Sequence, residues 1–556
     1  MLKLSPLCLA VMLLLQLPAS AVQAVPVAAT VDQALAARID AVIAPHYKAT
    51  DPGATVIVTK DGKTLLRKAY GMADVAAKVP MRAEMSLRLG SITKQFTSTA
   101  ILMLAEEGKL AVTDPITKFL PDYPTQGKAI TIEHLLTHTS GVVSYTSKPD
   151  FRANSTRDLS VSQMIDSFKN DPLEFAPGTR YAYNNSGYFL LGAIIEKVSG
   201  QSYAKFVEQR IFVPLGMTQT AYEGMERGPT SRAAGHSRSE GGFAPSPPLS
   251  MSLPYAAGSL VSTVDDLARW DAAVSSGKLL KAASWTQAFT PYKLADGKAT
   301  AYGYGWMLGK LRGSDTIGHG GGINGFSTYA LRVPGQKVYV AVLTNADGGL
   351  VQPALVANKA AAVAMGTPFP ERQTIVLSAD KLDGYAGVYQ VDDKVSRTVR
   401  REQDHLLIQR SGRGPIALYP FADDSFFMKD MITIVKFSRN AKGVVTQVTL
   451  DDDGVESVSA RTGDVAPERK AVTLPKAALD GFAGRFELMP GFVLELSRDG
   501  DKFFGQATGQ QKFLLVPVSE TAFYVKEVDA EVRFDKGNDQ MVLLQGGRNM
   551  PGKRLK

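Results

Sequence analysis

The N-terminal two-thirds of the chain has strand-like patterns at both of its ends. Apolar residues at 54–59 and 64–66 flank Asp61-Gly62, a dipeptide typical of a tight hairpin turn. A second hairpin is predicted at 326–343, where two apolar runs surround a Pro-Gly turn.

Helical periodicity fills the segment between the two hairpins. One helix is predicted to end at Gly108, from apolar residues at helical spacing: Ile92, Phe96, Ala100 and Leu104. Another is predicted at 188–198, before Gly200. Strands at both ends with helices between them predict an α+β domain over residues 30–365, in which the terminal hairpins share one antiparallel sheet.

The C-terminal third of the chain repeats itself after a linker predicted at 366–378. The segment LDGYAG at 382–387 matches LDGFAG at 479–484, and Phe437 matches Phe534, both at an offset of 97 residues (534 − 437). One register kept over this distance indicates two copies of one domain. Several short strands separated by Gly-rich turns favour a small all-β barrel for each copy. The copies are predicted at 379–464 and 470–556.

The N-terminus has the pattern of an export signal. Lys3 precedes a short apolar run at 7–15, and small residues follow up to Ala24. We therefore predict a signal peptide at 1–24, cleaved after Ala21 or Ala24, and a periplasmic or secreted protein with no membrane span after cleavage. An uncleaved anchor is the alternative, although the run is short for a span of about 20 residues.

Composition excludes several classes of protein. Of the 556 residues, 45% are hydrophobic and 21% are charged, which excludes a largely disordered chain. Lys and Arg exceed Asp and Glu by 8 without a dense basic run, so nucleic acid is a poor candidate partner. The single cysteine excludes a disulfide scaffold and a Cys-rich zinc site.

The first motif with chemical potential is Ser91-Ile92-Thr93-Lys94. Ser91 would open the predicted helix, and Lys94 would lie one turn further on the same face. A serine hydroxyl needs a base to become a nucleophile, and burial at the positive end of a helix favours the neutral lysine amine. Taken alone, the Ser-x-x-Lys spacing is weak evidence, because a serine at a helix N-terminus is usually only a cap.

The second motif is Tyr183-Asn184-Asn185, just before the next helix. A phenol beside the lysine can relay a proton to a leaving group, and the Asn185 amide can hold a substrate carbonyl. The competing interpretation is a turn with a packed tyrosine and an asparagine cap.

The third motif is His319 followed by Gly320, Gly321 and Gly322, just before the strand predicted at 326. Glycines let a substrate lie against an edge strand, and a free backbone N–H there can complete an oxyanion hole with that of Ser91. An ordinary Gly-rich turn is the alternative.

Together the three motifs resemble the signature set of the serine β-lactamase and penicillin-binding-protein superfamily. The resemblance is closer to its class C-like branch of D-alanyl-D-alanine carboxypeptidases, D-aminopeptidases and esterases, and TIEHLLTHTSG at 131–141 and YGYGW at 302–306 support it. A catalytic domain before two barrels looks most like the three-domain D-aminopeptidases, whose barrels border the active site and restrict substrate entry.

The resemblance implies a role for each motif residue. Ser91 would be the acylated nucleophile, and Lys94 and Tyr183 would share the general-base and general-acid steps. His319 stands where β-lactamases have lysine, and it would orient Tyr183 or tune its pKa. Hydrolysis through an acyl-enzyme would then need no metal and no cofactor.

The resemblance also implies how a substrate is held. Asn185 would position the substrate amide beside Gly320 and Gly321, and the N–H groups of Ser91 and Gly322 would form the oxyanion hole. Many relatives have a threonine where this chain has Gly320, and that hydroxyl helps to hold a substrate carboxylate. Substrates with a free amino end, or uncharged esters, are therefore favoured over β-lactams.

Two histidines raise the question of a metal. His134 and His138 are separated by four residues, like zinc ligands on a helix, but Glu133 precedes the first histidine rather than following it. No third ligand stands out, and the resemblance gives this segment a structural role, so zinc is disfavoured.

Four functions are weighed. The leading hypothesis is a D-aminopeptidase-like serine hydrolase that cleaves D-amino-acid peptides or amides, and a carboxylesterase of the same fold is the second. D-alanyl-D-alanine carboxypeptidase or weak β-lactamase activity is the third. The non-enzymatic alternative is a cell-wall-binding relic. The expected substrate is a small peptide, amide or ester, with cell-wall fragments among the candidates.

Overall fold

The computed structural model describes residues 27–555, except 149–150, 152–153, 226–227, 240, 394, 466–470, 490, 509, 511, 527 and 546–547. The predicted signal peptide lies outside these residues. No helix within the described part of the chain is both long enough and apolar enough to cross a membrane.

The N-terminal domain is built on a six-stranded antiparallel sheet in the order β3-β4-β5-β6-β1-β2. Its strands are β1 Ala54–Lys60, β2 Lys63–Tyr70, β3 Met307–Leu311, β4 Ser314–Ile323, β5 Phe326–Val333 and β6 Val338–Thr344. Both predicted hairpins are confirmed, and Asp61 and Gly62 have the positive φ values, 50° and 75°, that a tight turn needs. Strand β6 pairs with β1 along its length, so the two hairpins share one sheet, as predicted.

Helices cover both faces of this sheet. The long helices are α1 Val27–Ile43, α2 Thr93–Glu106, α3 Asn185–Ser199, α4 Val264–Ser276 and α5 Pro353–Met365. Strand β1 is buried on both faces: Val56 and Val58 pack with α1 and α5, whereas Ile57 packs in the core that contains α2 and α3. The α+β prediction is therefore confirmed, including helices at both predicted positions.

Shorter elements complete the N-terminal domain. The short helices are Ile132–Leu136, Val161–Asp166, Tyr203–Val207, Val213–Leu215, Tyr255–Gly258 and Ala282–Ala288. The short strands are Met72–Asp74, Val79–Pro80, Leu87–Arg88, Ala221–Tyr222, His236–Ser239, Gly242–Pro245 and Leu260–Ser262.

Two closed eight-stranded barrels follow, which confirms the two all-β copies. Barrel 1 consists of β7 Gly387–Gln390, β8 Ser396–Glu402, β9 His405–Arg410, β10 Pro415–Ala422, β11 Ser425–Phe427, β12 Ile434–Arg439, β13 Val445–Asp452 and β14 Val455–Gly463. Barrel 2 consists of β15 Gly484–Met489, β16 Phe492–Asp499, β17 Lys502–Ala507, β18 Phe513–Pro517, β19 Ala522–Val525, β20 Ala530–Phe534, β21 Gln540–Gln545 and β22 Arg548–Arg554. A short helix precedes each barrel, at Ala379–Asp383 and Lys476–Phe482.

The two barrels have equivalent cores. Phe426 and Phe523, 97 residues apart, are both fully buried in their barrels. The offset shortens to 93 in the last strands, where Arg461 and Arg554 (554 − 461) each donate at 2.6 Å to the carbonyl of the alanine that precedes the first strand. Residues can therefore be compared between the barrels position by position.

Barrel 1 contacts the N-terminal domain at the turn between β3 and β4. Arg312 in this turn pairs with Asp453 of barrel 1 at 3.0 Å and donates to the Thr367 carbonyl at 3.1 Å. Strand β4 runs from this turn to the glycine motif, and at ~3.3 Å per residue Ser314 and Gly322 are about 26 Å apart. This attachment therefore lies at the opposite end of β4 from Gly322.

Candidate active site

Ser91 lies where a tight turn meets the sheet. It is in the 3-10 turn Gly90–Ile92, and α2 begins two residues later, at Thr93. Gly90 has a φ of +54°, and a Cβ on it would lie 3.0 Å from the Gly322 backbone nitrogen. Only glycine combines this conformation with so close an approach, which brings the Ser91 backbone beside β4.

Lys94 is fully buried beneath Ser91. Its Nζ lies 3.0 Å from Ser91 Oγ, 2.9 Å from Asn185 Oδ1 and 2.9 Å from the Ala257 carbonyl oxygen. Burial lowers the pKa of the Lys94 amine well below its usual range. A neutral amine has two hydrogens for the two carbonyl oxygens, which leaves its lone pair for the Ser91 hydroxyl. The contacts therefore suit a base that takes the Ser91 proton.

Tyr183 closes the other side of Ser91. Its phenol interacts with the Ser91 hydroxyl, and the Lys94 Nζ lies 4.9 Å from the centre of its ring. Desolvation raises the pKa of this phenol, so it keeps its proton at neutral pH. The residue is 37% exposed and thus forms part of the cleft wall. The structure brings Ser91, Lys94 and Tyr183 together.

Asn185 occupies the first turn of α3. The helix cap is the neighbouring Asn184, whose Oδ1 accepts from the Gly187 N–H at 2.8 Å. The Asn185 side chain accepts from Lys94 and donates through Nδ2 to Thr146 Oγ1 at 3.1 Å. An amide nitrogen has two hydrogens, so one N–H of Asn185 remains for a substrate.

His319 is fully buried in β4 and contacts Tyr302 rather than Tyr183. Its Nε2 lies 2.8 Å from Tyr302 Oη, and its Nδ1 lies 2.6 Å from the Gly320 carbonyl oxygen. Burial and the nearby charge of Lys94 lower the pKa of His319 to about 3. Both ring nitrogens of His319 face these partners rather than Tyr183, so the prediction that His319 orients Tyr183 or tunes its pKa stays a prediction. The two rings are neighbours, with centroids 6.0 Å apart.

The glycine motif belongs to β4 itself rather than to a turn before the next strand. Strand β3 pairs with β4 only as far as Gly318, so the outer edge of the following residues faces the cleft. A Cβ on Gly321 would lie 2.0 Å from the Leu89 carbonyl oxygen, whereas one on Gly320 would lie 3.4 Å from the Tyr329 ring, an ordinary contact. Packing therefore requires glycine at 321 but leaves room for a side chain at 320.

His138 also belongs to the site, although its sequence pattern predicted only a structural role for its segment. Its carbonyl accepts from the Ala182 N–H at 2.9 Å, and its Nδ1 accepts from the Asn184 N–H at 3.1 Å. These hydrogen bonds hold the chain on both sides of Tyr183, and the His138 and Tyr183 ring centroids are 4.3 Å apart. The only sequence signal for this role was the THTSG segment.

The two histidines of that segment have separate structural contacts. His134 Nδ1 accepts from the Thr131 N–H at 3.2 Å in a helix cap, whereas His138 Nδ1 accepts from Asn184. Burial, together with the nearby Lys94 and His319, lowers the pKa of His138 well below its usual range. In the described part of the chain, no group of three or more His, Cys, Asp or Glu residues could hold a metal ion.

Comparisons with known proteins agree with this geometry. The sequence model of the Beta-lactamase family matches residues 31–364, and that of a domain of unknown function (DUF3471) matches residues 371–461, which cover barrel 1 up to two residues before the end of β14. Penicillin-binding protein 4* of Bacillus subtilis (strain 168) is 29% identical over 431 residues, which cover 73% of this chain and 94% of the relative. Protein flp of Staphylococcus aureus (strain N315) is 30% identical over 54% of this chain and 61% of its own length.

Two solved structures show the same fold. The octameric penicillin-binding protein homologue from Pyrococcus abyssi is 26% identical, with a TM-score of 0.53, and the match covers 77% of this chain and 99% of that one. The D-amino acid amidase from Ochrobactrum anthropi SV3, in complex with L-phenylalanine, is 25% identical, with a TM-score of 0.52. The match covers 60% of this chain and 98% of the amidase chain. The chain therefore belongs to the Beta-lactamase family, the β-lactamase and penicillin-binding-protein fold of serine hydrolases.

Proposed function

We propose that the protein hydrolyses amide or peptide bonds of substrates that contain D-amino acids, through an acyl-enzyme on Ser91. The observation that carries the proposal is the fully buried Lys94 amine, 3.0 Å from Ser91 Oγ. The similarity to a D-amino acid amidase supports the substrate class.

In the proposed first step, Ser91 Oγ attacks the carbonyl carbon of the substrate amide, and its proton passes to the Lys94 amine. The carbonyl oxygen becomes an oxyanion, which the backbone N–H groups of Ser91 and Gly322 receive. The carbon–nitrogen bond then breaks, and the Tyr183 phenol, beside Ser91, relays the proton to the leaving amine.

In the second step, water attacks the ester carbonyl of the acyl-enzyme. The same base accepts the proton of the water, and the same two N–H groups hold the second oxyanion. Collapse of this intermediate releases the carboxylic acid and returns the proton to Ser91 Oγ. The overall reaction consumes one water for each amide bond cleaved.

The glycine at position 320 supports a substrate without a carboxylate at that end. Many members of the β-lactamase and penicillin-binding-protein superfamily have a threonine at this position, and its hydroxyl helps to hold a substrate carboxylate. Gly320 has no hydroxyl. Uncharged esters would fit the same site, so a carboxylesterase is the second candidate. D-alanyl-D-alanine carboxypeptidase or weak β-lactamase activity is a weaker candidate for the same reason.

The test is release of nitroaniline from D-alanyl p-nitroanilide, with the L-isomer and Ser91→Ala as controls. Release that is D-selective and absent in Ser91→Ala is expected. Release from short-chain acyl esters alone, dependent on Ser91, would replace the amidase by the esterase. If neither substrate class reacts and a serine-reactive phosphonate does not label Ser91, the protein is the non-enzymatic relic.

We also propose that the protein is exported, since its first 24 residues have the pattern of a signal peptide. Mass spectrometry of the protein from its host should find a mature N-terminus after Ala21 or Ala24. An intact N-terminus on cytoplasmic protein would contradict export without affecting the proposed chemistry.

A further inference from the structure

Barrel 1 contains two arginines on facing strands of its interior surface. Arg397 on β8 and Arg410 on β9 are cross-strand partners, and the next pair on the same face, Val399 and Ile408, lies in the barrel core. The side chains of both arginines therefore leave the backbone on the inner face of the barrel, near the end where β8 begins and β9 ends. Arg397 is only 8% exposed, whereas Arg410 is exposed to solvent.

The contacts of Arg397 do not balance its charge. Its guanidinium donates to the hydroxyls of Ser459 and Ser457 on β14, the latter at 3.0 Å, and hydroxyls are neutral acceptors. Among the residues that the structure describes, the ion pairs include neither Arg397 nor Arg410. Burial and the charge of Arg410 both lower the pKa of Arg397, but a guanidinium stays charged in proteins. Two like charges on facing positions destabilise a sheet unless an opposite charge joins them.

Barrel 2 shows that the fold does not need these arginines. The pair equivalent to Arg397 and Arg410 at the offset of 97 is Leu494 and Ala507, which are also cross-strand partners and are buried in the core. At the offset of 93, the equivalents of the two serines are Met550 and Gly552. Barrel 2 thus fills the same four positions with apolar residues and glycine. The facing arginine pair and its two serines are therefore a specific property of barrel 1.

A third arginine lies at the same end of barrel 1. Arg413 is in the turn that follows β9, and its N–H donates to the Arg410 carbonyl at 2.9 Å. Its equivalent in barrel 2 is Gln510. Acidic residues also lie at this end, but three of them are engaged elsewhere. The Asp392 carboxylate accepts from the Val395 N–H, at 3.0 Å, within its own turn. Asp453 pairs with Arg312, and Asp451 pairs with Lys436.

We propose that barrel 1 binds an oxyanion, a carboxylate or a phosphate group, between Arg397 and Arg410. The planar guanidinium presents parallel N–H groups that match the two oxygens of such an anion. The ligand would enter beside the exposed Arg410 and would supply the negative charge that the buried Arg397 lacks. The site is separate from Ser91 and does not depend on the hydrolytic function.

Isothermal titration of the full chain with inorganic phosphate, and separately with acetate, tests the proposal. Ionic strength is kept constant with chloride. Saturable binding of at least one anion is expected, weakened at least 10-fold in both Arg397→Leu and Arg410→Ala. Binding of phosphate alone or of acetate alone would identify the source of the anion, and either result supports the site.

Two controls make the result decisive. Arg401→Ala removes the same charge from the other end of β8, where Arg401 pairs with Asp383 at 2.7 Å, and should change the affinity less than 2-fold. Arg410→Ala removes an exposed side chain, so the variant is expected to fold like the wild type. Circular dichroism can check this. Equal anion affinity in wild type, Arg397→Leu and Arg410→Ala, or no saturable binding of either anion, would overturn the proposal.

Discussion

The N-terminal domain and barrel 1 each bury a basic side chain against serine hydroxyls, with different consequences. Lys94 is fully buried 3.0 Å from Ser91 Oγ, and Arg397 is 8% exposed and donates to Ser457 and Ser459. Burial removes the proton of a lysine amine far more readily than that of a guanidinium, because the pKa of arginine starts above 12. Desolvation can therefore make the Lys94 amine a neutral base, whereas the desolvated Arg397 stays charged and would be stabilised by a bound anion.

The largest expected effect comes from replacing Lys94 by arginine, the residue type that barrel 1 buries. In Lys94→Arg the side chain stays charged and cannot accept the Ser91 proton, so kcat/KM should fall by roughly 10³-fold or more. The rate of phosphonate labelling of Ser91 measures the same loss without a chosen substrate. Labelling at the wild-type rate would show that Lys94 is not the base.

A substitution in the glycine motif should have the next largest effect. The Gly321→Ala methyl would meet the Leu89 carbonyl oxygen at 2.0 Å, so β4 and the Ser91 turn must separate. We expect a loss of about 1–3 kcal/mol in the free energy of unfolding and of roughly 10²-fold in kcat/KM. Gly320→Ala is the matched control and should stay within about 3-fold of wild type, since its methyl has only an ordinary contact. Equal losses in the two variants would contradict this account of the motif.

Replacing His138 separates positioning from chemistry. His138→Ala removes the acceptor for the Asn184 N–H beside Tyr183 and should lower kcat by roughly 10-fold to 100-fold, with little change in KM. His138→Asn should recover most of the activity, because asparagine tolerates the positive φ of 59° and its Oδ1 can accept the same N–H. If the asparagine variant is as slow as the alanine variant at equal stability, the backbone hydrogen bond is not what His138 contributes.

The pH dependence should follow Lys94 and not the histidines. The neutral amine is the active form, so kcat/KM should fall as the pH drops through the lowered pKa of Lys94. His319, whose pKa is lowered to about 3, is neutral above pH ~5 and does not titrate there. The pH at which kcat/KM falls on the acidic side of the profile should therefore be the same in His319→Gln as in the wild type, even if the maximal rate of the variant differs. A shift of that pH would assign the titration to His319.

The smallest effect on activity is expected from making barrel 1 like barrel 2. Arg397→Leu replaces a buried, uncompensated charge by the residue that barrel 2 uses, so barrel 1 should gain about 1–2 kcal/mol of stability in buffer without phosphate or carboxylates. Calorimetry of the full chain measures the change, and kcat/KM should remain within 2-fold of wild type. Destabilisation in that buffer would mean that the serine contacts outweigh the cost of burying the charge.

Local features of the sequence were sufficient to predict the hairpins, the long helices and the repeated barrel. Asp61-Gly62 specifies its turn through positive φ values, and the spacing of Ile92, Phe96 and Ala100 specifies a buried helix face. The 97-residue offset survives as equivalent core positions in two closed barrels. The motif residues Ser91, Lys94, Tyr183, Asn185 and Gly321 could be selected because each belongs to a recognisable short pattern.

Contacts between distant segments decided what those residues do. Ala257 lies 163 residues from Lys94 and supplies a carbonyl that helps to hold its amine, and no pattern near either residue indicates this. His319 Nε2 lies 2.8 Å from Tyr302 Oη, a contact that forms only once the segment before β3 packs against β4.

The sequence by itself therefore determined the domains, the repeat and the candidate nucleophile, since turn conformation and apolar periodicity act over a few residues. The role of His138, the requirement for glycine at 321 and the facing pair Arg397 and Arg410 were decided only in the tertiary structure. A pKa, a steric limit or a charge imbalance depends on the groups within a few ångströms, and folding brings those groups together from segments far apart in the chain.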